Sequence, residues 1–138
     1  MNLPLLWDGT GNRRDDRGSA VVEFVLVGAL LTVLTLSVMQ LALALYIRTT
    51  LLDAAAEGAR HAALADNGLA DGVGRTQDLI TTAVGAAYAS GITAHYTGRG
   101  GHRTVEVSVT APLPLLGMIG FERGLKVVGH AVVETVGE

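Results

Sequence analysis

Apolar positions along the chain fall into one unbroken run, two helical stripes and several short alternating stretches. The run is Ala20 to Ile47, AVVEFVLVGALLTVLTLSVMQLALALYI, where only Glu23 and Gln40 depart from apolar residues, glycine and small hydroxyls. Its part from Phe24 to Ile47, 24 residues, extends about 36 Å as a helix at ~1.5 Å per residue. A bilayer core of about 30 Å needs about 20 such residues, so the segment can span with some tilt. It is apolar all round and lacks the one-sided stripe of a surface helix. The pattern predicts a membrane helix, since the run is too long for the core helix of a small soluble domain.

Beyond Arg48 the pattern becomes amphipathic. Leu51, Leu52, Ala55, Ala56, Ala59, Ala62 and Ala63 recur at helical spacing, with Asp53, Glu57, Arg60 and His61 opposite. The helix therefore continues to Ala65, with Glu57 in reach of Arg60 and of His61. Gly58 inside it marks either a close backbone approach or a simple break. Asp66 to Arg75, with Asn67-Gly68, Asp71-Gly72 and Gly74, reads as a loop. Gly72-Val73-Gly74 lacks the further glycine and the preceding strand of a phosphate loop. Thr76 to Ser90 reads as a second helix with Thr76 as N-cap, Asp78 in the first turn and Gly91 as the stop. Its apolar stripe is Leu79, Ile80, Ala83, Val84, Ala87 and Tyr88.

The period then changes to two. Ile92 to Thr97 and Arg103 to Thr110 read as strands joined by Gly98-Arg99-Gly100-Gly101. Val105, Val107 and Val109 point one way and Thr104, Glu106 and Ser108 the other, so one face packs on a helix and one is wet. Ala111 to Phe121 is apolar but broken by Pro112, Pro114, Gly117 and Gly120, which suits a short interfacial or partner-facing segment. Leu125 to Val136 supplies a last strand. The expected fold is α+β: a long N-terminal transmembrane helix with an amphipathic extension, a second helix, and a small antiparallel sheet of about three strands. The corresponding divisions are a leader over residues 1–18, the transmembrane and extension helix over 19–65, and an extracytoplasmic domain over 66–138.

Charge sets the topology. Arg13, Arg14 and Arg17 precede the span and only Arg48 follows it directly. Orientation follows Lys and Arg near the helix ends, so the N-terminus is expected in the cytoplasm and the bulk of the chain outside. A secretory signal peptide is the competing reading, because Ala42-Leu43-Ala44 resembles a cleavage site, but its apolar core would be roughly 7–15 residues. The formal net charge of −3 points away from nucleic acid. Cysteine is absent, which excludes a disulfide framework and Cys-ligated metal.

The junction Gly18-Ser19-Ala20-Val21-Val22-Glu23-Phe24 resembles the prepilin-peptidase site of type IV-type pilins: Gly, four residues, then Glu and an aromatic at the start of an apolar helix. From Gly18 to about Arg60 the chain is similar to the TadE-like family of tight-adherence (Flp) pilus systems. That similarity runs through Glu23-Phe24, the span, Tyr46 and the closing Ala55-Ala56-Glu57-Gly58-Ala59-Arg60. It implies a pilin-like shape and cleavage after Gly18, leaving Ser19 as the new N-terminus and Glu23 as the fifth mature residue. It also implies partners: a prepilin peptidase, other pilin-like subunits, and an assembly platform with its ATPase. Two positions depart from the family pattern: Ala29 stands where a Pro is common, and Gln40 where a Glu is common. Without Pro the helix should be less kinked.

Beside the resemblance stands a physical argument for Glu23. A carboxylate in a membrane helix costs about 2.5–3.5 kcal/mol at midplane on insertion scales and less near the interface, so it persists where it finds a partner. The free amine of a neighbouring Ser19 would be that partner and would set the axial register between subunits; the bland alternative is a solvated carboxylate at headgroup level. Gln40 can hydrogen-bond across helices, while Thr32, Thr35 and Ser37 more often bond back to their own helix. Glu57, Gly58, Ala59 and Arg60 close the extension motif, as interface residues or as a solvated face.

Catalytic chemistry is not expected. His95 and His102 could lie diagonally on one sheet face, with His130 on the last strand, but no zinc spacing such as HExxH is present. Ser90 and Ser108 lack a base at a recognisable spacing. No cofactor or metal is expected. The leading expectation is a structural minor pilin or pseudopilin-like subunit in the cytoplasmic membrane or a surface pilus. A permanently anchored extracytoplasmic binding module and a small domain released by signal peptidase are the alternatives.

Overall fold

The computed structural model describes residues 13–112 and 124–134, and within it the chain forms two compact units, residues 1–39 and 40–138. Helix α1, Arg13–Ala63, contributes to both. It begins within the stretch expected to be an irregular leader: Arg13 to Gly18 are helical, because no Pro or Gly interrupts the five residues before Gly18. Residues 1–12 of that leader lie outside the described residues.

The first unit contains only α1 residues among those described, and from Gly18 to Met39 every side chain is exposed. The second unit is α+β. After α1 come α2, Leu69–Ala83, a 3₁₀ turn at Ala86–Tyr88, and three strands: β1, Gly91–Arg99; β2, His102–Ala111; and β3, Leu125–Val132. The sheet is antiparallel throughout, in the order β1-β2-β3, with His95 opposite Glu106 and Glu106 opposite His130. The fold class read from the periodicity is the one observed.

Two local expectations need correction. The stretch Asp66 to Arg75 is not a loop: α2 starts at Leu69, with Gly68 as N-cap and Asp71 accepting the Gly68 N–H at 2.8 Å. Thr76 is thus no N-cap but a buried mid-helix residue. Asp71-Gly72 and Gly74 have turn-like composition, yet Gly72 is admitted inside the helix because its missing side chain permits close packing on α1, while Gly74 faces open space. The same helix stops at Ala83, not Ser90; Gly85 follows with φ +104°, a conformation glycine adopts without penalty. Gly91, expected as the helix stop, opens β1 instead.

The hairpin is tighter than the sequence suggested. Gly100 and Gly101 have φ of +61° and +82°, and the strands close on the Arg99–His102 pair. A two-residue turn with positive φ at both positions matches the twist of the flanking strands, so each strand extends to the turn. β3 ends at Val132, short of the expected Val136. Val133 N–H still donates to Arg103 O at 2.9 Å, and Glu134 N–H to Ala63 O at 3.1 Å, which satisfies a carbonyl at the end of α1. Residues 135–138 and the apolar segment from residue 113 to Phe121 lie outside the described residues.

The core forms where α1, α2 and one sheet face meet. Leu51, Ala55, Ala59, Ile80, Val105, Val107 and Val109 have no exposed surface. Leu52, assigned to the apolar stripe of α1, is 42% exposed, and Ile47 and Ala54 are buried in its place. The stripe is rotated because three small residues let other elements press directly on the α1 backbone. A Cβ on Gly58 would coincide with Thr76 Oγ1 and lie 2.7 Å from Gly72 O. A Cβ on Gly72 would lie 2.6 Å from Ala62 Cβ. A Cβ on Gly129 would lie against the backbone of Ala55 and Ala56. Of the two readings of Gly58, close approach is the observed one.

Candidate assembly and membrane segment

In the first unit α1 presents apolar side chains outward on all sides. Val21, Phe24, Leu26, Leu30, Leu31, Val33 and Leu34 are all more than half exposed, and Phe24 reaches 80%. A contiguous apolar surface of this extent on a soluble protein marks a surface that lipid or protein covers. By length and composition α1 contains a helix able to cross a membrane, from Gly18 to Ala63, and none of its most apolar window is buried.

Polar groups on this surface are satisfied within the helix. Thr32 Oγ1 donates to Gly28 O at 2.8 Å, Thr35 Oγ1 to Leu31 O at 2.8 Å, and Ser37 Oγ to Val33 O at 2.7 Å. These one-turn bonds spare each hydroxyl an unpaired proton in an apolar medium. At the N-terminal end Ser19 Oγ donates to Glu23 Oε1 at 3.3 Å. The two residues that sequence reasoning joined across subunits therefore already face each other one turn apart. Among the described residues, and apart from its own helix backbone and chain neighbours, no atom lies within 4 Å of the position a Cβ on Gly18 would take.

The closing motif divides between core and surface. Gly58 and Ala59 are buried, Ala59 completely, whereas Arg60 is exposed. Arg60 Nε lies 3.6 Å from Glu57 Oε2, and with side chains 67% and 46% exposed this pair contributes at most a few tenths of a kcal/mol. In place of the expected Glu57, the His61 ring has Asn67 Nδ2 3.4 Å from its Nε2, and the same amide donates to His61 O at 2.9 Å. Thr76 was missed as a contact residue: its hydroxyl sits 2.8 Å from Gly72 O and 3.4 Å from Ala54 O, linking α2 to the α1 backbone. Helical spacing of Gly58, and of Gly72 with Thr76, was the available signal. Gln40, the polar residue of the span's second half, is half-buried and belongs to the second unit.

On the sheet His95 and His102 share one face and His130 lies on the last strand, as expected, but His95 and His102 are not diagonal neighbours. His95 faces Glu106, with Nε2 3.4 Å from Oε1, and His130 faces the other oxygen, with Nδ1 3.5 Å from Oε2. This His–Glu–His row crosses all three strands on the face turned away from α1, while His102 pairs with Arg99 at the turn. Among the described residues no group of three His, Asp or Glu is arranged to hold a metal ion.

Compared with known proteins, residues 18–60 match the family model described as TadE-like protein. The match covers 43 of the 138 residues, the apolar span and its amphipathic continuation. No curated protein and no solved structure matches the chain.

Proposed function

From a chain whose residues 18–60 form a TadE-like segment, we propose that this protein is a structural minor pilin or pseudopilin-like subunit for assembly of a tight-adherence pilus. The observation that carries the reading is the uncovered apolar surface of α1 between Val21 and Tyr46, directly after Gly18-Ser19. Before assembly, lipid covers that surface, with the N-terminus in the cytoplasm and the C-terminal α+β domain outside. A prepilin peptidase cuts between Gly18 and Ser19, and the released helix exchanges lipid for the helices of other pilin-like subunits at the assembly platform. Packing between apolar helices then replaces lipid contacts without exposing apolar surface to water. No catalytic step, cofactor or nucleic acid enters this reading.

The mature N-terminus tests it directly. Mass spectrometry of the protein isolated from its native envelope is expected to find Ser19 first. An intact Met1 would instead support a permanent anchor, and Leu45 would support release by signal peptidase.

Glu23 is assigned the register role. Cleavage places the Ser19 α-amine one helical turn from its own Glu23 and at the same depth in neighbouring subunits. An ion pair there in low dielectric is far stronger than on a wet surface, and a mispositioned neighbour leaves the carboxylate unpaired. Glu23→Ala is expected to be processed normally but to co-isolate with other pilin-like subunits roughly tenfold less, the effect of about 1.4 kcal/mol. Normal assembly of that variant would remove the register role while leaving cleavage intact.

A further inference from the structure

We propose that the connection between β2 and β3, residues 113–123, docks against the outer end of the apolar part of α1 and covers Gln40 and Ala44. Between Gln40 and Tyr46 those two residues are half-buried while the others are exposed, Leu41 at 61% and Leu45 at 50%. They stand one turn apart, and Ile47 and Leu51, the next positions at helical spacing, are buried in the core. The covered stripe of α1 therefore continues past the core toward the N-terminus, inside the same compact unit.

The described strands and α2 end short of that stripe. Gly129 abuts the backbone of Ala55 and Ala56, and Glu134 N–H donates to Ala63 O, so β3 runs in the direction of α1. Leu125, the first residue of β3, therefore lies roughly 9–13 Å nearer the N-terminus of α1 than Gly129, about level with Ile47 to Thr49. On α2, Gly72 meets Gly58 and Thr76 meets Ala54 O, so α2 runs the opposite way and its last residue, Ala83, stands about 10 Å beyond Thr76, near the same level. Ala44 and Gln40 lie roughly 5 and 10 Å further out than Ile47. Ala111 pairs with Leu125, so both ends of the β2–β3 connection stand at this end of the sheet. Residues 135–138 leave from the other end, beside Ala63.

Length and composition fit the stripe. The 11 residues LPLLGMIGFER reach roughly 18 Å out and back, enough to pass Gln40. Leu113, Leu115, Leu116, Met118, Ile119 and Phe121 supply apolar side chains, and the two charges, Glu122 and Arg123, stand next to β3. Pro114 brings no N–H, and the Gln40 side-chain amide can both donate to and accept from backbone groups, which irregular chain at membrane depth requires. The depth rests on the membrane reading proposed above; the contact with α1 does not. Docking closes one side of the helix and leaves the side of Leu41, Leu45 and Tyr46 to lipid or other helices.

The chain lacks cysteine, so introduced pairs report the contact without background. In the full-length chain in its membrane, Ala44→Cys is combined in turn with Leu115→Cys, Leu116→Cys, Met118→Cys or Ile119→Cys and oxidised mildly. The reference series carries Ala42→Cys, the same substitution on the opposite side of α1. A disulfide needs Cα atoms within about 7 Å, and a helix about 10 Å across separates the two sides. At least one Ala44 pair is expected to close within a single chain about tenfold faster than its Ala42 counterpart, because docking raises the local thiol concentration. Equal rates in the two series at all four positions overturn the proposal. So do disulfide dimers formed faster by Ala44→Cys alone than by Ala42→Cys alone, which would place a second copy on the stripe. If Ala44→Cys does not accumulate, Gln40→Cys against Ala42→Cys, with the same four partners, reads the same contact. Membrane retention and the Ser19 terminus are measured in the same samples. Their loss with the cross-link kept removes the membrane reading alone, and the reverse removes the docking alone.

Discussion

Gly129→Val unfolds the second unit at temperatures where the parent is intact, and Gly58→Ala lowers its melting point, whereas Gly74→Ala does not. Those are the expected results of thermal unfolding followed by circular dichroism. All three are glycines in regular structure, and propensity favours each substitution: Gly→Ala in a helix by up to about 1 kcal/mol at Gly58 and Gly74, and valine over glycine in a strand at Gly129. Packing separates them. A side chain at Gly129 meets backbone atoms of Ala55 and Ala56, which cannot rotate away, so β3 must leave α1 or α1 must bend. Overpacking costs about 1–3 kcal/mol where side chains can adjust and more where backbone is struck. Gly129→Val is thus expected to exceed about 4 kcal/mol, a large share of a small domain's stability. At Gly58 the added methyl meets the Thr76 hydroxyl and Gly72 O, and the cost outweighs the gain in propensity. At Gly74 nothing lies within 4 Å, and the propensity gain stands alone. A rise in melting temperature for Gly58→Ala would show that α1 and α2 are not held at this distance.

Gly18→Leu is expected to abolish processing. The envelope-bound protein should keep the mass of the uncut chain, with no fraction beginning at Ser19 and no incorporation into pili. The substitution is informative because it does not disturb the fold: the space around Gly18 is open, and leucine favours the helix that already runs through this position. Loss of the mature form would then report the peptidase's requirement for a small residue before the cut rather than misfolding. A mass unchanged from that of the processed parent would show that cleavage, if it takes place, occurs elsewhere.

Gly18 on one side and Gly58, Gly72 and Gly129 on the other mark where the sequence is legible. Gly18 was singled out by its neighbours, since Gly, four residues, Glu and Phe at the head of an apolar run form a local pattern. Gly58 drew attention but left two explanations open, and Gly72 was read as a turn residue beside Asp71. Gly129 stood inside LKVVGHAVVETV with nothing to mark it. Each of these three is explained by an atom far away in the chain: Thr76 for Gly58, Ala62 for Gly72, and Ala55 for Gly129. The His95–Glu106–His130 row is a similar case, because it depends on the registers of two strand pairs and not on any spacing in the chain.

What the sequence determined by itself was everything carried by period and by a run of one chemical type. The apolar helix, its amphipathic continuation, the three strands and the α+β class follow from side-chain solubility repeated at 3.6 or 2 residues, which is a local property. Tertiary structure decided the start of α2 at Leu69, the burial of Thr76, the rotated stripe of α1 and the contact of β3 with the α1 backbone. Those features turn on whether a neighbouring element occupies the space where a side chain would stand, and an absent side chain leaves no hydrophobic signal in the chain that lacks it.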